Sequence, residues 1–443
     1  MSNRLKTPRH GTILAALVIA GYALSALAES YSDVVDWEQP GFTEAAADHD
    51  TFYLVARLGW SVWALDRNTG TLKWRFDGDF RVMDPPALIG DHIIALDYLR
   101  PPTLRWLRPS DGKESKKVEV PGIKLARLMA RNGVLIAYDP QPGGAGGIRC
   151  FDPSSGDILW TRAGLSVLPD AKHSLIAVGA EGAEEVAIRR LDPISGQNIW
   201  ESIVPSPQGV RSVRQVIEGP GNSLWLLLQD FSTPNNADLR SGPDSMMVSA
   251  LDNLSGVPKE PFAKGPLQVR TLKTGSLIDA QLFTAEDEVL LAELIIDGSS
   301  GAGNLALHSI DSASGKVQSR FRMPLDWRPS SPKVAGVIGS NQAAAGGIAI
   351  VYDTSGVISG IQVDDGQRRW KWESKFTYEH AVAVVLDRGQ VLVGEGIPAG
   401  PSPGWHRLAT CLDGESGQVL WEYIESAPAH IIFDHDAGPD ILY

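Results

Sequence analysis

Ala64-Leu65-Asp66-Arg67-Asn68-Thr69-Gly70-Thr71-Leu72-Lys73-Trp74 joins an apolar strand end, a turn and the start of another strand. An Asp at the head of such a turn accepts backbone N–H groups two residues on, Ser or Thr does so more weakly, and Gly supplies the positive φ that closes the loop. The turn returns as Phe151-Asp152-Pro153-Ser154-Ser155-Gly156, Leu191-Asp192-Pro193-Ile194-Ser195-Gly196, Leu251-Asp252-Asn253-Leu254-Ser255-Gly256, Ile310-Asp311-Ser312-Ala313-Ser314-Gly315 and Leu412-Asp413-Gly414-Glu415-Ser416-Gly417. Two looser copies, Leu107-Arg108-Pro109-Ser110-Asp111-Gly112 and Ile361-Gln362-Val363-Asp364-Asp365-Gly366, complete the set.

The eight glycines (Gly70, Gly112, Gly156, Gly196, Gly256, Gly315, Gly366 and Gly417) lie 42, 44, 40, 60, 59, 51 and 51 residues apart. Repeats of about 40 to 50 residues belong to propeller blades of four strands each. A β-rich run precedes each turn, and a further apolar run lies upstream, at 51–56, 92–96, 134–138, 174–178, 224–228, 289–292, 348–352 and 391–393. Helical periodicity is not sustained anywhere after the N-terminal segment. The spacing therefore predicts an all-β chain, an eight-bladed β-propeller of four-stranded antiparallel blades.

Four residues after the glycine stand Trp74, Trp160, Trp200, Trp370 and Trp421. A large flat ring at that place is expected to pack between neighbouring blades, burying roughly 150 to 250 Å². Cys150 and Cys411, the only cysteines, each lie six residues before a repeat glycine, where Ala64, Ala250, Ser309 and Gly360 stand in other copies. They read as small buried hydrophobes in blades 3 and 8, too far apart for a disulfide, which needs Cα atoms within about 7 Å.

Pro- and Gly-rich insertions at 139–147, 231–245, 298–303 and 397–405 fall between the second and third strand of their blades. Those connections emerge on one face with the blade-to-blade crossings, and the Asp-headed turns on the other. Function concentrates on loops held by a rigid scaffold, so the elaborated face is the expected interaction face, with Arg100, Arg240 and Trp405 on or beside it. No catalytic residue and no metal site is assigned. Asp434-His435-Asp436 reads as a solvated tail, and Gly143–Gly147 lacks the Gly-Lys-Ser/Thr and helix of a phosphate loop.

Arg4, Lys6 and Arg9 precede an uncharged run from Thr12 to Leu27 and then the small-residue pattern Ala26-Leu27-Ala28. This order predicts a signal peptide over 1–28, an N-terminal extension over 29–50 and a single propeller over 51–443, exported to the periplasm with no transmembrane span in the mature chain. The alternative is an uncleaved anchor, although sixteen apolar residues fall short of the ~20 that span a bilayer. Removing 1–28 takes away three basic residues and moves the formal charge from −13 to −16. So acidic a body repels phosphate backbones, which excludes nucleic acid as a partner. Closure of the ring is expected from a strand in the tail 430–443, the other possibility being 31–50.

The complete motif at Ala64–Trp74 resembles the PQQ-type (pyrroloquinoline-quinone-like) repeat, and the resemblance covers essentially the whole chain after residue 28. In size the chain is similar to the BamB-like periplasmic scaffolds of that family, which are non-enzymatic eight-bladed rings. Those resemble lipoproteins with a cysteine at the cleavage site, whereas this chain reads Leu24-Ser25-Ala26-Leu27-Ala28-Glu29. The resemblance implies a non-enzymatic cell-envelope scaffold that takes no cofactor and binds other envelope proteins in outer-membrane protein assembly. The family's other branch implies a PQQ- and calcium-dependent quinoprotein oxidoreductase; many of those carry a Cys-Cys pair that is absent here. A small-ligand or polysaccharide-binding propeller is the third possibility.

Overall fold

The second strand of each blade explains the architecture. Val134–Tyr138 and Thr51–Val55 are buried at every residue, as a strand must be when its sheet is covered on both faces by neighbouring sheets. Outer strands instead alternate: Leu72–Asp77 buries Trp74 and exposes Lys73 and Arg75, and Arg368–Glu373 repeats that pattern. In these blades burial is thus complete in the second strand and lowest in the outer one, as wedge-shaped blades around an axis require.

The structure, a computed structural model, describes residues 45–426 apart from 56–60, 78–85, 98–100, 121–126, 139–146, 170, 172, 181–184, 206–210, 231–244, 261, 263–265, 272–276, 286–287, 297–302, 325–332, 339–346, 353–356, 375–382 and 395–404. The chain divides into two units, Met1–Gln39 and Pro40–Tyr443, and every described residue belongs to the second. Among the described residues, thirty-two strands form eight four-stranded antiparallel sheets, each of four strands consecutive in sequence. The blades occupy 45–77, 87–119, 127–162, 166–205, 211–271, 277–324, 333–373 and 383–426. The protein is an all-β, eight-bladed propeller.

Eight apolar clusters lie between the sheets, one per pair of neighbouring blades. One of them closes the ring, packing Phe52, Leu54, Trp63 and Leu65 of blade 1 against Leu392, Ala409, Cys411 and Trp421 of blade 8.

Two expectations need correction. Ala45–Ala47, inside the stretch 29–50 set apart as an extension, is the first strand of blade 1 and pairs as Ala45↔Leu54, Ala46↔Tyr53 and Ala47↔Phe52. Three alanines carry neither alternation nor β-branching, so nothing in them announces a strand. Blades 1 and 8 each hold four strands of their own before the tail begins. A strand from 430–443 is therefore not needed to complete either blade, and that segment lies outside the described residues.

Candidate functional site

All eight repeat glycines have positive φ, between 67° and 75°. In the full motif copies the Asp carboxylate then collects the turn. Asp192 Oδ1 accepts the N–H of Ile194 at 3.1 Å, the N–H of Ser195 at 2.7 Å and the hydroxyl of Ser195 at 2.8 Å. Such bonds at Thr69, Ser155, Ser195, Ser255 and Ser314 hold the carboxyls of Asp66, Asp152, Asp192, Asp252 and Asp311 below the ordinary carboxylate range.

The tryptophans fasten each blade to the next turn. Trp74 Nε1 donates to the carbonyl of Pro109 at 2.6 Å, Trp160 to Pro193 at 2.9 Å, Trp200 to Asn253 at 2.8 Å, Trp370 to Gly414 at 3.0 Å and Trp421 to Arg67 at 2.7 Å. The acceptor is always the residue three before the next blade's glycine. The ring then lies flat on that glycine: a Cβ on Gly196 would stand 2.5 Å from Trp160 Cδ2.

In blade 2 the position four after the glycine is Lys116, and the ring is supplied by Trp106 of the third strand, whose Nε1 donates to the Pro153 carbonyl at 2.6 Å. Lys116 Nζ lies over that ring, 5.0 Å from its centroid. In blade 6 Phe321 covers Gly366 and brings no N–H. Blade 5 departs further. Its outer strand starts only at Leu267, and Phe262 in the intervening segment packs edge-on against Trp225 at 5.3 Å.

Cys150 and Cys411 are free and buried in the third strands of blades 3 and 8, opposite Trp160 and Trp421 respectively. Burial pushes each thiol up to about 12. Both are small apolar fillers beneath the rings.

An open cleft of about 760 Å³ lies at the turn face of blades 1 and 2, lined by Asp48, His49, Asp50, Thr51, Tyr53, Lys73, Pro109 and Ser110. Its polar groups bond to one another. Tyr53 donates its hydroxyl to Asp48 Oδ2 at 2.6 Å, and Lys73 Nζ reaches the Asp50 carbonyl at 2.8 Å and Thr51 Oγ1 at 2.9 Å. Burial disfavours the charge on Asp48, but the bonds from Tyr53 and the Asp50 N–H outweigh it and hold its carboxyl low. No group of three His, Cys, Asp or Glu gathers as a metal site among the described residues. None of their helices is long and apolar enough to cross a membrane.

Of the residues expected at the interaction face, Arg100 and Arg240 lie outside the described residues, and Trp405 is the first residue of the third strand of blade 8. The signal peptide over 1–28 and Asp434-His435-Asp436 also lie outside them.

A different surface emerges on blades 3 to 5. Ten large apolar side chains are exposed among the described residues, and seven of them fall there: Ile158, Leu159, Ile194, Ile199, Ile203, Leu254 and Val257. Ile194 and Leu254 stand two residues before the repeat glycine, at 62% and 67% exposure. The same place in the other six turns holds Asn68, Ser110, Ser154, Ala313, Asp364 and Glu415. That contrast was available in the sequence, but only by comparing the copies position by position.

Residues 33–220 match the family model described as outer membrane protein assembly factor BamB. A comparison with curated proteins gives no match. Among solved structures, BamB from Moraxella catarrhalis superposes at TM-score 0.50 with 17% identity, covering 82% of this chain and 92% of that one. Dihydro-heme d1 dehydrogenase NirN in complex with DHE superposes at TM-score 0.54 with 13% identity, over 88% and 76% of the two chains. A europium-containing methanol dehydrogenase superposes at TM-score 0.50 with 10% identity, covering 82% of each. At these identities the three share the fold.

Proposed function

We propose, from the match of residues 33–220 to the family of the outer membrane protein assembly factor BamB, that this propeller is a non-enzymatic scaffold of the cell envelope that binds other proteins. The observation that carries the reading is the run of exposed apolar side chains on three consecutive blades. Large apolar side chains exposed together mark sites of contact with proteins, membranes or ligands. The turn tips Ile194 and Leu254 are apolar where the sister turns are mostly polar, so the difference belongs to the surface and not to the fold. The loop face with Arg100, Arg240 and Trp405 is the second contact surface in this reading. Export to the periplasm follows from the leader expected over 1–28.

Cross-linked recovery of the tagged full chain from its own cell envelope tests the reading. Envelope proteins should be recovered with the unaltered chain and lost with an Ile194→Asp/Leu254→Asp variant of unchanged melting temperature. Tight uptake of PQQ with Ca²⁺, accompanied by dye-coupled alcohol oxidation, would replace the scaffold by a quinoprotein enzyme.

A further inference from the structure

Seven of the eight blade junctions are crossed by the chain itself. The eighth, between blades 8 and 1, brings together residues 323 and 354 positions apart. Each blade consists of four consecutive strands, so among the described residues no strand is shared across that junction. A pair of blades joined by a short connection stays close even when their contacts break, because the connection limits the conformational freedom gained. Among the described residues, blades 8 and 1 have no such tether. Side chains must hold them.

The contacts at the junction fit that demand. Trp421 Nε1 donates to the Arg67 carbonyl at 2.7 Å. The Arg67 side chain, in a residue only 4% exposed, turns back across the junction. Its Nε donates to Gln390 Oε1 at 2.8 Å and its Nη1 to the Asp48 carbonyl at 3.2 Å. The guanidinium also lies over Phe52, 5.0 Å from the ring centroid. Phe52 packs against Trp421 at 6.1 Å, and Trp63 meets Tyr423 edge-on at 5.5 Å. Two of the four aromatic pairs recorded among the described residues thus lie at this one junction. In the other seven turns the residue equivalent to Arg67 is Pro109, Pro153, Pro193, Asn253, Ser312, Val363 or Gly414. The single cation of the series stands at the one junction without a covalent crossing.

We propose that Arg67 is the latch of the ring: a positioning residue that holds the first blade against the last in place of a shared strand, at the seam where the ring first opens. Its planar fork suits the task, since one buried group bonds an amide and a carbonyl while its face covers an aromatic ring. The seam then opens as a unit, blade 1 parting from blade 8 while the tethered junctions stay shut.

Hydrogen exchange of the full chain, followed strand by strand, tests this. Arg67→Ala should speed exchange by about tenfold or more in Thr51–Val55 and Gln390–Gly394, with Ser223–Asp230 in the opposite blade within about twofold of the unaltered chain. Gln390→Ala, which leaves the Arg67 backbone in place, should act at the same two strands more weakly. Trp421→Phe removes an indole bond at the seam and Trp160→Phe removes its counterpart at a tethered junction; only the first should open its junction. Should Arg67→Ala not fold, Gln390→Ala and the two Trp variants decide the question alone. Equal acceleration in all blades, no acceleration at the seam, or equal effects of Trp421→Phe and Trp160→Phe would overturn the latch.

Discussion

Gly196 has a φ of +69°, and the Trp160 ring occupies the place where a side chain would begin. Gly196→Ala therefore meets two costs, about 1 to 2 kcal/mol for a left-handed L-residue and a further loss as the indole is displaced. Chemical denaturation should report a destabilisation above that backbone figure; a variant as stable as the parent would deny the contact. The turn carboxylates make a separate prediction. Their folded-state values are depressed, so their stabilisation is complete above the ordinary carboxylate range near 4 and is lost as the pH falls through the lower folded values. Urea midpoints should fall between about pH 5 and pH 2, and Asp192→Asn should flatten that decline. Cys150 and Cys411, buried and pushed up to about 12, should not react with a thiol reagent at about pH 8 until the chain is unfolded, when two thiols appear. The chemistry of Asp and Gly was legible in the sequence because a turn is closed by its own neighbours. The partner of each indole N–H was not, since it lies in the next blade.

At the level of the strand, the fourth-strand tryptophan combines packing with one directed bond. Trp200→Ala should cost about 3 to 5 kcal/mol, the range for emptying a buried aromatic site. Trp160→Phe keeps most of the packing and forfeits the bond to the Pro193 carbonyl, a loss of about 1 kcal/mol by equilibrium denaturation. A Phe variant as damaging as an Ala variant would mean that the bond, and not the ring, fixes the blade. Blade 6 already uses Phe321 in this way. The second strands declared themselves as apolar runs because they are covered on both faces. Ala45–Ala47 did not, and the irregular fourth strand of blade 5 hid for a related reason: ten residues, 257–266, separate its glycine from Leu267, so no fixed offset locates its aromatic.

For the molecule as a whole, the repeat count was legible because eight turns in register leave little freedom for another architecture. The join between its ends was not, because side chains make it: Arg67 stands out as the one cation at its place in the eight turns, but its partner Gln390 in blade 8 shows only in the structure. The apolar surface on blades 3 to 5 was legible only in part, at Ile194 and Leu254 once the turns are compared copy by copy, since each residue is ordinary alone. The ring itself is open to a direct distance measurement. Asn68, Ser110, Ser154, Ile194, Leu254, Ala313, Asp364 and Glu415 occupy equivalent exposed positions, one per blade, and the two native thiols are buried. Spin labels on cysteines placed pairwise at Asn68 and each of the others should give distances that rise to a maximum at Leu254 in blade 5 and fall back at Glu415 to the Asn68–Ser110 value. A distance that keeps growing to Glu415, or that peaks at another blade, would contradict a closed ring of eight.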